Sequence, residues 1–184
     1  MAKRRKQLPQ RKLGKLLIIT GLLFLTYWGA HTYFRYQSLT LEASQTQSAA
    51  VGSGSRPVRV TIPNKFDLDV AEAVEVSGKW GAWSDKATFL PISAKPGEAG
   101  NIVIYGHNKK LVMGKLIEVK AGDEITVLTA DGQVHKYQVE DTQSVDTTHT
   151  ELLNPTSYEV LTLYTCTGFL DRLRWVVRAR PIKV

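Results

Sequence analysis

A run of 19 residues without a formal charge, Leu16–Phe34, is the feature that most constrains how this chain can fold. The hydrocarbon core of a bilayer is about 30 Å thick and is crossed by roughly 20 predominantly apolar helical residues. Aromatic residues crowd the C-terminal end of the run, as at a membrane interface: Tyr27, Trp28, Tyr33 and Tyr36. The pattern predicts a transmembrane signal anchor over residues 16–36.

The basic residues before this run predict its orientation. The first 15 residues contain seven Lys and Arg and no acidic residue, so this tail carries the whole formal net charge of +7. Basic flanks stay on the cytoplasmic side. We therefore expect a single-pass protein of the cell membrane with a cytoplasmic N-terminus and an extracellular domain. The rest of the chain has no excess positive charge, which argues against nucleic acid as a partner.

A cleaved signal peptide is the alternative for the same segment. Thr26–His31 is bulky and lacks a small-x-small cleavage site, although Ala49 and Ala50 lie downstream. We favour an uncleaved anchor that follows a basic cytoplasmic tail, residues 1–15. Residues 37–56 are rich in Ser, Thr, Gln, Ala and Gly, which predicts a flexible linker because this composition cannot bury a core. Residues 57–184 then form one domain of ordinary size.

This domain is patterned as short strands. Seven runs predict strands: Val58–Ile62, Leu68–Val70, Asn101–Tyr105, Glu124–Leu128, Val134–Glu140, Glu159–Thr165 and Arg174–Ile182. Asp131 and Gly132, between two of these runs, indicate a hairpin. Only Asn108–Leu116 and Ala71–Val76 have a helical pattern. The sequence predicts a mainly β fold, a closed or nearly closed β-barrel of about eight strands with short helices.

The single cysteine, Cys166, lies where a predicted strand opens into a short turn. A lone cysteine outside the membrane is a reactive thiol, an intermolecular link or a small buried side chain. A thiol becomes a useful nucleophile when a base or a cation lies nearby. His107 follows a second predicted strand and Arg174 begins the strand after the turn. A nucleophile, a proton carrier and an oxyanion partner are thus each expected at a strand end.

These motifs resemble those of the sortases, which are membrane-anchored cysteine transpeptidases of bacterial surfaces. The resemblance rests on TLYTC at Thr162–Cys166, on Arg174 followed by an aromatic-Val-Val run, and on the Gly-His pair at 106–107. It covers roughly Val58 to Ile182 together with the N-terminal anchor. The loop between Cys166 and Arg174 is short for this family, so the resemblance does not assign a class.

The resemblance implies a mechanism and a role for each of three residues. Cys166 would attack the Thr carbonyl of a sorting signal of the Leu-Pro-X-Thr-Gly type and form a thioacyl intermediate. His107 would act as general acid and base, and Arg174 would stabilise the oxyanion or the substrate. Transfer to an amine would join a signal-bearing surface protein to a cell-wall precursor or a pilin. No cofactor is implied.

Neighbouring residues leave some assignments open. Arg172 is the alternative to Arg174 as the catalytic arginine. Tyr164, on the same strand face as Cys166, and Thr165, on the opposite face, are further candidates for substrate binding. His135 and His149 compete with His107, which we favour because it follows an apolar strand and a glycine and matches the family position.

An apolar floor for the signal could come from several places. The candidates are Trp80, Trp83, Phe89, Leu90 and the loop Asp141–Tyr158. We expect no metal site, because the sequence has no cluster of acidic ligands. Two other functions remain open: a membrane-tethered barrel that binds without catalysis, and a cysteine peptidase that hydrolyses its substrate.

Overall fold

The computed structural model describes residues 10–37, 41–42 and 54–182. The chain divides into two units, the first ending at Gln37 and the second beginning at Ser38. The first contains helix α1, Gln10–Gln37, and its segment Gly14–Tyr33 is long and apolar enough to cross a membrane. This confirms the predicted N-terminal helix of membrane-spanning length.

The domain boundaries predicted from the sequence stay a prediction. Residues 1–9 of the basic tail, and residues 38–40 and 43–53 of the predicted linker, lie outside the described part of the chain. Leu41–Glu42, within that linker range, forms a short strand.

Strands dominate the described residues of the second unit. In chain order they are β1 (Leu41–Glu42), β2 (Pro57–Ile62), β3 (Phe66–Glu72), β4 (Glu75–Val76), β5 (Lys79–Trp80), β6 (Ala87–Phe89), β7 (Asn101–Gly106), β8 (Glu124–Thr129), β9 (Val134–Asp146), β10 (Val160–Thr167) and β11 (Leu173–Pro181). Eight of them close a barrel in the order β10-β11-β9-β8-β2-β3-β6-β7, and β1, β5 and β4 form a separate small sheet. The predicted closed barrel of about eight strands is confirmed.

Two neighbouring pairs in the barrel are parallel, β7 with β10 and β3 with β6. The β8–β9 pair is the hairpin that Asp131 and Gly132 predicted, and Gly132 has a φ of 83° in its turn. The parallel β7–β10 pair matters most for function. Because parallel strands run in the same direction, the residues that follow β7 and β10 emerge at one end of the barrel.

The local predictions differ from the structure in three places. Strand β6 was not predicted, because three residues carry little periodic signal. The predicted helix over Ala71–Val76 is wrong, since Ala71 and Glu72 end β3 and pair with β6. The helical propensity of Ala and Glu is worth only tenths of a kcal/mol per residue, so strand pairing outweighs it. The segment predicted as the helix Asn108–Leu116 contains turns and the start of a 3-10 helix, Gly114–Glu118.

The barrel interior is filled by apolar side chains from every wall. Leu161 and Leu163 of β10 and Ile102 and Ile104 of β7 are fully buried there. Burying such a side chain stabilises a fold by about 1.5–3 kcal/mol. This interior fixes the positions of β7 and β10.

A second buried cluster lies on the outer side of the same strands. Strand side chains alternate between faces, so the residues between the interior ones point outward: Val103 and Tyr105 of β7, Tyr164 and Cys166 of β10, and Val176 of β11. We call this surface the Cys166 face. Residues 73–83, here called the strap, pack against it through Ala73, Trp80 and Ala82, and Leu152 and Leu153 pack against it from the β9–β10 loop.

Candidate active site

Strand pairing brings the three predicted catalytic residues to one end of the Cys166 face. Cys166 lies directly opposite Arg174 in the antiparallel β10–β11 pair. On the other side, Thr165 pairs with Gly106 at the end of β7, and His107 is the next residue. The thiol-bearing residue therefore sits between the strand that leads to the imidazole and the strand that carries the guanidinium.

Cys166 is buried, with 2 % of its surface exposed. It lies in an apolar cluster with Tyr164, Val103 and Val176. Burial in such surroundings protects a thiol from solvent, and chemistry at Cys166 requires that part of the cover move aside.

Arg174 is held by the turn that joins β10 to β11. Its Nη1 donates to the backbone oxygens of Asp171, at 2.9 Å, and Leu173, at 3.0 Å. Leu170 and Asp171 both have a φ of 56°, a left-handed conformation that is costly for residues other than glycine. The turn is thus shaped so that its carbonyls anchor the guanidinium.

The other arginines near this strand lie in different surroundings. Arg172 is exposed in the turn, whereas Arg178 pairs with Thr162, four positions from Cys166. Arg180 donates to Glu140 at 2.9 Å and stacks over the ring of Tyr158 at 3.7 Å. Only Arg174, among these four, has Cys166 as its cross-strand partner.

His107 is positioned by a tight turn after β7. Its backbone oxygen accepts hydrogen bonds from the N–H groups of Lys109 and Met113, at 2.8 and 3.1 Å. Gly106 allows this turn, since a Cβ there would lie 2.9 Å from Sδ of Met113. The hydroxyl of Thr165 donates to the Gly106 oxygen at 2.8 Å and ties β10 to the residue before His107.

The competing histidines lie elsewhere. His135 is in β9 opposite Val127, beside Gly97. His149 is exposed in the β9–β10 loop and its Nδ1 lies 3.1 Å from Asp146. A hydrogen bond to that carboxylate raises the pKa of His149. Neither residue is a cross-strand neighbour of Cys166.

Two tyrosines form the floor of the Cys166 face. Tyr105 and Tyr164 are stacked, with ring centroids 5.1 Å apart and planes 6° from parallel. Burial raises the pKa of both above the ordinary value, so both carry their hydroxyl protons at neutral pH. Tyr105 was not a predicted site residue, because its neighbour across the parallel pair cannot be read from the sequence.

Two segments pack against the Cys166 face, the strap and the β9–β10 loop. The hydroxyl of Tyr105 donates to the Gly81 oxygen of the strap at 2.8 Å. On the other side, the amide of Asn101 donates to the backbone oxygens of Leu152 and Asn154, at 2.9 and 3.2 Å. These bonds hold the strap and the β9–β10 loop along the Cys166 face.

The residues predicted to form an apolar floor for the sorting signal lie in different parts of the structure. Trp80 and Leu90 belong to the cluster of the Cys166 face. Phe89 points into the barrel interior and is part of the core. Trp83 is 40 % exposed and its indole N–H donates to the Glu72 oxygen at 2.8 Å. The predicted loop Asp141–Tyr158 begins inside β9, and its part beyond Asp146 contributes Leu152 and Leu153.

The chemistry available here is that of acyl transfer. A thiol can attack a carbonyl, an imidazole can move a proton, and a guanidinium can stabilise a developing oxyanion. Within the described residues, no group of three or more His, Cys, Asp or Glu is arranged to hold a metal ion.

Comparisons with known proteins show similarity to one family across the barrel. A family model of the sortase domain matches residues 60–182. Similar solved structures include sortase A of Listeria monocytogenes, which is 24 % identical, with a TM-score of 0.58, covering 69 % of this chain and 88 % of that one. A lid mutant of Corynebacterium diphtheriae sortase A is 23 % identical, with a TM-score of 0.61, covering 85 % and 91 %.

Further structural similarity extends to another sortase class. The sortase D5 transpeptidase of Clostridium perfringens is 22 % identical, with a TM-score of 0.58, covering 70 % of this chain and 79 % of that one. At this level of identity the solved structures show a shared fold. No curated protein matches the sequence closely enough to count as a relative.

Proposed function

The chain belongs to the sortase family of cysteine transpeptidases, and we propose that it cleaves a sorting signal of the Leu-Pro-X-Thr-Gly type at the Thr carbonyl and transfers the acyl group to an amine. The observation that carries this proposal is the pairing of Cys166 with Arg174 on one side and of Thr165 with Gly106, just before His107, on the other. Strand pairing thus brings His107, which is about 60 residues away in sequence, to the same end of the sheet face as the hairpin that carries Cys166 and Arg174.

The first half of the reaction forms a thioester. The Cys166 thiolate attacks the Thr carbonyl carbon, and the carbonyl oxygen becomes an oxyanion that the Arg174 guanidinium and a backbone N–H near Cys166 stabilise. His107 donates a proton to the amine nitrogen as the C–N bond breaks. The C-terminal fragment leaves as an amine, and the acyl portion stays on sulfur.

The second half transfers the acyl group. An incoming amine attacks the thioester carbon while His107 accepts a proton from the amine nitrogen, and the Cys166 thiolate leaves. Water in place of the amine would give hydrolysis.

Arg174 is the catalytic arginine in this proposal rather than Arg172. Arg174 is opposite the nucleophile and is anchored by two turn carbonyls, whereas Arg172 is exposed in the turn. Thr165 would act by fixing the end of β7 beside His107, through its bond to Gly106. Tyr164 would contact the substrate.

The N-terminal helix supports a location of this reaction at a membrane. The helix α1 supports a single-pass protein of the cell membrane, and the basic tail supports a cytoplasmic N-terminus with the barrel outside. The partners would be surface proteins that carry the signal and an amine acceptor such as a cell-wall precursor or a pilin.

The test uses the full chain in detergent micelles with a pool of Leu-Pro-X-Thr-X peptides and a glycine-terminated amine. We expect an acyl adduct on Cys166 and a joined peptide by mass spectrometry, and loss of the joined peptide in the His107→Ala variant. The matched control is His149→Ala, which removes an exposed imidazole away from Cys166 and should retain activity.

Other results would select the alternatives. Hydrolysed peptide with no joined product at saturating amine would identify a cysteine peptidase. A thiol that forms no adduct and resists a small alkylating reagent would favour a binding module without activity.

A further inference from the structure

One buried side-chain polar atom without a hydrogen-bond partner lies on the Cys166 face, and a second belongs to the strap that packs against this face. Among the described residues, such unpaired atoms are Trp80 Nε1, Tyr164 Oη, Trp175 Nε1 and Arg178 Nε. Tyr164 belongs to the Cys166 face and Trp80 packs against it from the strap. Buried polar atoms are nearly always paired, and an unpaired one calls for an explanation. Both of these groups can donate a hydrogen bond.

Among the buried tyrosines of residues 54–182, only Tyr164 has a hydroxyl without a hydrogen-bond partner. Residues 54–182 contain two other buried tyrosines, and both have partners. Tyr105 donates to the Gly81 oxygen at 2.8 Å, and Tyr137 donates to the Glu159 carboxylate at 2.7 Å. Phenylalanine at 164 would fill the same space without leaving a polar atom unpaired. The hydroxyl therefore costs stability in this closed arrangement, as groups at binding sites often do.

The position of Tyr164 relates its hydroxyl to the nucleophile. Tyr164 and Cys166 are two residues apart on one strand and point to the same face. A peptide lying extended along β10 advances by about 3.3 Å per residue, the same repeat as the strand. If the peptide runs parallel to β10 and its scissile carbonyl lies at Cys166, the residue two positions earlier lies at Tyr164.

Resting on the transpeptidase function proposed above, we propose that the Tyr164 hydroxyl donates a hydrogen bond to the backbone carbonyl of the sorting-signal residue two positions before the scissile carbonyl. The ligand is thus an extended peptide, recognised through its main chain. Tyr164 acts as a positioning residue, because this bond sets which carbonyl reaches the thiol.

The strap must shift for this contact to form. Tyr164 is 3 % exposed and Cys166 is 2 % exposed, and Trp80 of the strap packs against the cluster that contains both. The strap bears two strands of two residues each, β4 and β5. The Tyr105 hydroxyl bonds its Gly81 oxygen in the way that the Tyr164 hydroxyl would bond a peptide carbonyl.

The experiment combines a variant with a modified substrate. Full-length wild type and Tyr164→Phe are assayed with peptides in which each backbone amide of the acyl portion, one at a time, is replaced by an ester, whose carbonyl is a weaker acceptor. We expect Tyr164→Phe to lower kcat/KM about five- to tenfold with the all-amide peptide. The ester that weakens the carbonyl two positions before the scissile one should lower kcat/KM about fivefold for wild type and leave it unchanged for Tyr164→Phe.

The matched control is Tyr137→Phe, which removes a hydroxyl with the same chemistry from a buried tyrosine whose partner is Glu159. It should keep wild-type kcat/KM and the wild-type ester profile but lower the Tm. Tyr164→Phe should have a Tm equal to or above that of wild type, because no existing hydrogen bond is lost. A lower Tm together with an unchanged ester profile would assign Tyr164 a structural role and overturn the inference.

The two proposals fail in different ways. If wild type joins peptides and Tyr164→Phe does so with the same kcat/KM and ester profile, the inference about Tyr164 is wrong and the transpeptidase function stands. If wild type forms no acyl adduct with any peptide, the proposed function is wrong, and the inference falls with it.

Discussion

Strand β10 has two buried faces that differ in what their side chains do. Leu161 and Leu163 point into the barrel and are fully buried among apolar neighbours. Tyr164 and Cys166 point outward and are almost as buried, at 3 % and 2 % exposure. Burial alone therefore does not separate a core from a site. The difference lies in polar atoms, because the outward face has a thiol and a hydroxyl where the inward face at these positions has only hydrocarbon.

The two faces also differ in what encloses them. The interior is enclosed by strands that continue around a closed barrel, so it cannot be opened without breaking the sheet. The outward face is covered by the strap and by the β9–β10 loop, which are held by a few hydrogen bonds from Tyr105 and Asn101. We expect changes on the inward face to alter stability and changes on the outward face to alter activity.

Replacing the nucleophile should give the largest effect. Cys166→Ala is expected to lower the rate of peptide joining by at least about a thousandfold, because no thioester can form. The free energy of unfolding should fall by no more than about 1 kcal/mol, since one buried atom is lost. Urea unfolding and a transpeptidation assay on the full chain measure the two quantities. Residual joining above a hundredth of the wild-type rate would contradict the assignment.

Removing the guanidinium should come next. Arg174→Ala is expected to lower kcat/KM by about 100- to 1000-fold, the usual loss when one oxyanion donor is removed. Arg174→Lys should recover only part, because an ammonium cannot reproduce the two turn contacts of Nη1 together with a second donor. Arg172→Ala is the control, since this residue is exposed in the same turn. If Arg172→Ala shows the larger loss, the catalytic arginine has been misassigned.

A change on the inward face of β10 should lower stability and leave activity nearly unchanged. Leu163→Ala leaves a cavity in the barrel interior, so the free energy of unfolding should fall by about 3 kcal/mol. The folded fraction should keep a kcat within about twofold of wild type. Denaturant titration and active-site counting by thiol acylation separate the two effects. A kcat loss as large as that of Arg174→Ala would mean that the faces are not independent.

The sequence predicted only part of this difference between the inward and outward faces of β10. The alternation in β10, β8 and β9 identified the strands and the closed barrel, because each run is long enough to have a period of two. TLYTC, Gly-His and Arg174 identified the family and named three residues that strand pairing brings to one end of the barrel. Their chemistry at Cys166 stays a prediction until activity is measured.

The parts that sequence did not predict depend on long-range pairing. Strand β6 has three residues and exists because β3 and β7 flank it. The stacking of Tyr105 on Tyr164 depends on the parallel register of β7 and β10. Phe89 and Leu90 are adjacent and equally apolar, yet one points into the barrel and the other lies in the cluster of the Cys166 face. No local pattern specifies which of two apolar neighbours faces which way.

A smaller effect is expected at Gly106, the last residue of β7. In Gly106→Ala the new methyl group would lie 2.9 Å from Sδ and 3.0 Å from Cγ of Met113, a flexible interior side chain that can move in part. The free energy of unfolding should fall by about 1–2 kcal/mol through overpacking, and kcat should fall severalfold because His107 is the next residue. Gly122→Ala, with nothing near its Cβ position but a φ of 94°, serves as a comparison for stability alone. Wild-type kcat in Gly106→Ala would show that His107 tolerates movement of the β7 end.

The smallest effect concerns His149, the histidine that lies away from the Cys166 face. Hydrogen bonds from Thr148 lower the pKa of Asp146 to about 2, and a hydrogen bond to Asp146 raises the pKa of His149 above 6.5. The depressed Asp146 pKa contributes stability at pH values above about 4 that is lost as the pH falls toward 2, and the raised His149 pKa contributes stability below 6.5 that is lost as the pH rises through the folded-state pKa.

The contribution of the pair to stability should therefore be fully present between about pH 4 and 6.5. Asp146→Asn is expected to return the His149 pKa toward 6.5, as followed by NMR of its ring protons, and to leave kcat unchanged. Both side chains are exposed to solvent, so 0.5 M salt should reduce the shift in the His149 pKa in wild type. A change in the pH profile of peptide joining in Asp146→Asn would show instead that the β9–β10 loop transmits this charge to the Cys166 face, and that the two histidines are not separate in function.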